Sequence, residues 1–502
     1  MGKHRRIPTP SPTRVRLATA TATAAAVTGG LIAVSAGTAG AADSVHHQEA
    51  DFNGDGYGDV AFSAGNATVG GKSGAGDIVA LYGSASGITS TKRLTISQNT
   101  TGVPGSAETN DAFGWVSAYG DFNHDGYDDL AVSAEHEKVG TDADGGTVAI
   151  LWGSASGLSG GTTLADPAVS SHDRWGRTLA AGDFDGDGVE DLAVGSSAST
   201  VYVFKGGISK SGAVGGRYTI KPNIQSGVPT GPLMLFAGDV NGDKMTDLVV
   251  DGYETDSDYG WNTNYYVPGS ASGLTMTGAK ELKRGVITGI GDINGDGFGD
   301  IVTGQDWDPA KSGSDEPSVP ESVIGGQVHV SYGSATGPGT FANVTQNTGN
   351  VPGGSERGDG FGGELSLGDI NGDGYADLAV GAMGEDLNGV SNAGSVTVLY
   401  GSADGLNTTT GAQFFAQSTD GVPGTDETDD SFGSELKLTD VNNDGKADLT
   451  VGAYYENTGN GSLTYLPSDG TKITTTGSRG ISPSAVGVDT AGQPIFGGNA
   501  AN

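Results

Sequence analysis

The stretch "FGGELSLGDINGDGYADLAVGA", residues 361–382, decides the fold. It opens with a short alternating run, passes through an acidic, glycine-rich loop, and leaves on "DLAVGA". Period-2 alternation reads as strand, and a tight cluster of Asp, Asn and Gly reads as a turn. The unit is therefore strand, loop, strand. Within the loop, Asp369, Asn371, Asp373 and Asp377 stand at positions 1, 3, 5 and 9, with Gly374 at position 6.

The same loop recurs six more times. Its side-chain oxygens come from Asp51, Asn53, Asp55 and Asp59 in the first copy, and from Asp121, Asn123, Asp125 and Asp129 in the second. The third has Asp183, Asp185, Asp187 and Asp191, and the fourth Asp239, Asn241, Asp243 and Asp247. The fifth has Asp292, Asn294, Asp296 and Asp300. The seventh, after the copy at Asp369, has Asp440, Asn442, Asp444 and Asp448. The copies start 53 to 77 residues apart. A period of that length signals a repeat architecture. One copy departs: in "DVNGDKMTDL" Lys244 fills the place of the position-6 glycine.

Beyond each loop strand lies a second strand ending in glycine, as in "TVAILWGS", where Val148, Ile150 and Trp152 share one face. A turn such as "GSASGL" and a fourth polar β segment follow. Four short strands in each of seven units predict an all-β fold, a seven-bladed propeller of four-stranded blades. Only "SVHHQEA" precedes Asp51, so blade one lacks its first strand. The C-terminal "ISPSAVGVDTAGQPIFGG" is expected to supply it and close the ring; the alternative is a decayed eighth repeat.

The Phe-Gly pair, the acidic loop and the following "VGA" resemble the FG-GAP repeats of the integrin α-subunit propeller and its secreted bacterial relatives. The resemblance implies a seven-bladed propeller with calcium in the loop joining the first two strands of a blade. The residues agree on their own terms. A hard divalent ion wants six to eight oxygens, and calcium accepts flexible carboxylate geometry where magnesium demands a strict octahedron. Up to seven Ca²⁺ are expected. The opposing reading is Asx-rich turns without metal.

The chain of 502 residues carries a formal net charge of −35 and a pI near 4.2. That balance argues against nucleic acid and anionic membrane surfaces as partners. There is no cysteine, hence no disulfide framework. Lys3, Arg5, Arg6, Arg14 and Arg16 precede a small, moderately apolar stretch ending in "AGA" at 39–41. Residues 1–41 read as a signal peptide and 42–502 as the propeller, so a secreted, extracellular monomer is expected. The alternative for the N-terminus is a single membrane anchor.

There is no H-E-x-x-H and no G-x-S-x-G elbow: the latter string occurs at Gly157–Gly161, in a turn and polar β segment rather than between a strand and a helix. "NATVGGKS" at 66–73 has Asn66 where a phosphate loop needs its first glycine. Carboxylates are abundant, so a secreted carbohydrate-active or other hydrolytic enzyme stays open beside a binding or adhesion module for an extracellular glycan or protein. Two long insertions on the face away from the loops suit binding. Residues 305–326 hold Trp307, and residues 253–266 hold Tyr253, Tyr259, Trp261, Tyr265 and Tyr266, of which the last two also read as strand residues. Three blade connections share Glu and Asp three apart, at Glu108/Asp111, Glu356/Asp359 and Glu427/Asp430, a recurrence that reads as a structural turn. The middle copy spells Arg357-Gly358-Asp359, a coincidence expected of a Gly- and Asp-rich chain. His124 reads as solvent-facing and His329 as a sheet-face residue.

Overall fold

Strands flank six of the acidic loops in the computed structural model, which describes residues 49–257, 259–312 and 317–501, and loop one is followed but not preceded by a strand. Residues 1–41, expected above to be a signal peptide, lie outside the described residues. In blade six the strands Phe361–Gly368, Asp377–Ala382, Ser395–Leu399 and Gln413–Phe415 pair in chain order, each antiparallel to the last. Five more sheets repeat that four-stranded meander, and one has three strands, Val60–Ala64, Asp77–Leu81 and Arg93–Ile96.

The three-stranded sheet is blade one, and the C-terminus completes it. Ser63 N donates to Asn499 O at 2.7 Å, Gly497 N to Ser63 O at 2.9 Å and Ala501 N to Ala61 O at 2.8 Å, with Phe62 bridged antiparallel to Ala500. "IFGG" thus supplies the missing Phe-Gly: Phe496 N donates to Asn460 O at 3.1 Å, as Phe432 N does to Ala393 O at 2.9 Å. The ring closes with seven four-stranded blades, and the eighth-repeat alternative is set aside.

The Phe-Gly pair has a physical reason. Phe113, Phe361, Phe432 and Phe496 are buried in the seams between blades, each burial contributing about 1.5–3 kcal/mol. The glycine lets the incoming strand touch the blade before it. Gly433 has φ +87°, and a Cβ there would stand 2.4 Å from Ser395 O.

Burial falls from the axis outward. First, second and third strands are mostly buried, whereas the outermost strand of blade five, Phe341–Val344, buries only Val344. The core is divided among seams. Val148, Ile150 and Trp152 of blade two pack with Leu179, Val194 and Phe204 of blade three, so the face shared by alternation in the sequence is a seam face. Among the described residues, no helix is long and apolar enough to cross a membrane.

Candidate metal centre

Each acidic loop is wound by its own carboxylates. In loop one, Asp51 Oδ1 accepts from the amides of Gly54 (2.7 Å) and Asp55 (3.1 Å), and Oδ2 from Gly56 (2.9 Å). The position-6 amide donates to the first Asp in every copy, at 2.6 to 2.9 Å. In five loops position 3 accepts from the position-5 amide, as Asn53 does at 2.8 Å, and in all seven position 5 accepts from the position-7 amide. These bonds fold the loop and leave further lone pairs at the first, third and fifth positions facing the rim.

The ninth position differs from that trio. All seven of its carboxylates are buried, and one oxygen of each accepts a backbone amide from the turn joining the third and fourth strands of its own blade. Donors are Gly83, Gly153, Gly206, Gly269, Gly333, Gly401 and Ser468, at 2.8 to 2.9 Å. In four loops the second oxygen accepts the position-2 amide as well. The sequence ranks this Asp with the other ligands; the structure gives it a further task, tying loop to turn. Burial pushes its carboxyl up, to about 8 in Asp59, Asp129 and Asp377, about 7 in Asp191, Asp247 and Asp300, and about 6 in Asp448.

Position 3 sets how the loops differ. Asn294 and Asn371 each donate Nδ2 to the position-5 carboxylate at 3.0 Å, while Asn123 and Asn442 donate to the ninth-position carboxylate at 2.9 and 3.0 Å. Loop three has Asp185 there and no such donor. Among the described residues, only its carboxylates, from Asp183, Asp185 and Asp187, bring ligand oxygens within 4.8 Å of one another. Beneath them Asp191 Oδ2 is buried and accepts no hydrogen bond. Lys205 Nζ lies 2.5 Å from Asp185 Oδ2, and Lys210 Nζ lies 3.1 Å from Asp125 Oδ2 in loop two. Oxygen-only donors, crowded carboxylates and an orphaned buried oxygen fit a hard divalent cation in loop three.

The loops are also joined to one another, which the sequence reading did not foresee. At six joints the position-8 amide of one loop donates to the position-1 carbonyl of the loop before it. Examples are Asp128 N to Asp51 O (3.2 Å), Thr246 N to Asp183 O (2.8 Å), Ala447 N to Asp369 O (2.7 Å) and, across the closure, Gly58 N to Asp440 O (3.2 Å). Carboxylates also tie three joints: Asp128 accepts from Asp51 N at 2.7 Å, Glu190 from Asp121 N at 3.0 Å, and Glu49 from Asp440 N. The visible signal was the acid at position 8 in loops two and three.

Lys244 takes φ +71°, where the sister loops place glycine, and its amide still donates to Asp239 Oδ2 at 2.8 Å. His124 is exposed, and position 4, which it occupies, also runs at positive φ (+56°). His329 is fully buried on its strand, with Nδ1 2.7 Å from Asn343 Oδ1, and burial holds its imidazole below the usual range.

Of the aromatics in 253–266, Tyr265 and Tyr266 belong to the strand Asn262–Val267, and the Tyr266 hydroxyl donates to Asp247 Oδ2 of loop four at 3.1 Å, at the loop end of the blade and not on the opposite face. Tyr259 is 56% exposed and stacks on Trp261 at 4.9 Å, with the Arg284 guanidinium 5.6 Å from the Trp261 ring. In the Arg-Gly-Asp triplet Asp359 is buried and accepts from Glu356 N at 2.6 Å, while Arg357 donates to Pro309 O at 2.7 Å.

Comparison with known proteins points the same way. FG-GAP repeats are matched at residues 113–151, 175–214, 361–399 and 432–466. Integrin alpha-PS2 of Drosophila melanogaster is 29% identical over 248 residues, covering 45% of this chain and 16% of that protein. Integrin alpha pat-2 of Caenorhabditis elegans is 27% identical over 227 residues, 43% of this chain and 17% of its own. A phosphatidylinositol-glycan-specific phospholipase D of Mus musculus is 32% identical over 148 residues, 29% of this chain and 17% of that one. The chain thus spans about a sixth of the length of each relative. The chain is thus a seven-bladed β-propeller that carries FG-GAP repeats in four of its blades and is similar there to part of the integrin alpha chains.

Proposed function

We propose that the protein is a secreted, calcium-stabilised propeller that acts as a binding or adhesion module for an extracellular glycan or protein. The observation that carries the cation is loop three, where Asp183, Asp185 and Asp187 converge over the orphaned oxygen of Asp191. Asp239, Asp292, Asp369, Asp440, Asp51 and Asp121 head loops of the same winding, so each is a further Ca²⁺ site, up to seven in all. Similarity to part of the integrin alpha chains supports a binding module, that to part of a phospholipase D keeps the enzyme as the second reading, and the exposed Tyr259–Trp261 stack offers a face for a sugar ring or a partner's side chain.

Two measurements on one sample test this. Calcium titration by calorimetry should give several sites, and Asp183→Asn with Asp187→Asn should remove one without unfolding the chain. A glycan array run beside a polysaccharide degradation screen separates module from enzyme. Binding that weakens in Tyr259→Ala, with no reducing sugar or unsaturated product, supports the module; product formation would replace it with the hydrolytic reading.

A further inference from the structure

Three seams on the face opposite the loops repeat one polar cluster. At blades one and two, Gln98 Nε2 donates to Glu137 Oε2 at 2.6 Å. At blades five and six, Gln346 donates to Glu385 at 2.7 Å, and at blades six and seven Gln417 donates to Glu456 at 2.5 Å. The three glutamines are 2 to 4% exposed, and in all three Oε1 is buried and accepts no hydrogen bond. Because Nε2 is fixed on the Glu, the free Oε1 is held within the same cluster. The turn above is shaped around this side chain: at Gly105, Gly353 and Gly424 a Cβ would stand 2.6 to 2.7 Å from the Gln Nε2.

Acids complete each cluster. Asp111, Asp359 and Asp430 are buried, and Glu108, Glu356 and Glu427 stand exposed at the mouth. Asp111 and Asp359 each accept one amide, at 2.5 and 2.6 Å, while Asp430 Oδ2 accepts none. The exposed Glu stands off, since among the described residues no three seam carboxylates bring oxygens within 4.8 Å of one another. The buried Asp and the half-buried Glu lie close enough to repel each other, with the Gln Oε1 beside the Glu. Arg357, next to Glu356, is turned to Pro309 O and to Asp308 at 3.7 Å, and His136 stands near Asp111 in the first seam. A buried water would satisfy the Gln oxygen but leave the carboxylates repelling one another. A cation does both. The seam of blades six and seven also opens on a cavity of about 460 Å³ lined by Gln417 and Glu456.

We propose that these three seams are hard divalent-cation sites, each built from the Gln Oε1, the buried Asp and the half-buried Glu. Two carboxylates and a carbonyl oxygen are the donor set of an ion that keeps part of its water shell. No seam residue belongs to a loop, so the sites stand whether or not the loops bind calcium.

The test uses crystals of the full chain soaked in Mn²⁺, with anomalous scattering at the manganese edge. Peaks beside Gln98, Gln346 and Gln417 are expected, whatever the loops show. Peaks in the loops alone, or an ordered water and no metal at the seams, would overturn the proposal. In solution, the variant Glu137→Gln/Glu385→Gln/Glu456→Gln keeps an acceptor for each Gln amide and removes the charge. Electron paramagnetic counting of bound Mn²⁺ should fall by three equivalents, and by one in Glu456→Gln alone should the triple variant misfold. An unchanged count in a folded variant would sink the idea, and the wild-type crystal decides the matter without any variant.

Discussion

Lys244 holds φ at +71° in a loop whose sisters place glycine there. An L-residue in that region costs about 1 kcal/mol relative to glycine. Lys244→Gly should therefore raise the melting temperature and tighten cation binding at loop four; equal affinity in calorimetric titration would show that the strain does not reach the ligands. The Arg-Gly-Asp triplet is a second question at this scale. Asp359 is 3% exposed and faces Glu356 N rather than solvent. Integrin-bearing cells are expected to adhere equally to wild type and Asp359→Glu, and a drop for the variant would reopen adhesion through that triplet.

A blade is a meander whose first strand comes late in the chain only once, and blade one depends on it. Phe496 is fully buried in that seam, so Phe496→Ala should cost about 3–5 kcal/mol, read as a lower urea midpoint. The closing segment also brings Asp489 near Asp77, whose carboxyl burial raises to about 7, with Asp489 pushing the same way. A raised acid stabilises the fold below its unfolded value, near 4, and loses that contribution as pH rises through about 7. Asp77→Asn should then melt higher than wild type at pH 8 and nearly level with it at pH 4; parallel curves would exclude Asp77 as the cause. Strand order, loop positions and even the closing "IFGG" were legible, because alternation and Phe-Gly are local signals. The ninth Asp's bond to a turn amide 15 to 33 residues on was not, since its donor is backbone and leaves no mark in the sequence. The seam glutamines escaped for another reason. Gln98, Gln346 and Gln417 each meet a Glu 39 residues later, a constant interval that shows only when connection and following loop are read together.

For the molecule as a whole, the acidic loops crowd one face of a chain with net charge −35. A site filled at 100 times its Kd contributes ~2.7 kcal/mol, so stripping several should lower the melting temperature by roughly 10 °C or more. Unchanged melting in excess chelator would remove calcium from the account. Ring closure has its own consequence, in the order of events during synthesis. Val60–Ala64 is made several hundred residues before its inner partner, residues 497–501. Until that partner is made, the amide of Ser63 and the carbonyls of Ala61 and Ser63 form an open strand edge. Closure therefore joins residues 438 positions apart at the Phe62–Ala500 bridge, and the same segment of a neighbouring copy competes for the edge. At high expression this predicts tail-swapped dimers that dilution does not quickly resolve, visible by light scattering and abolished when 497–501 is removed.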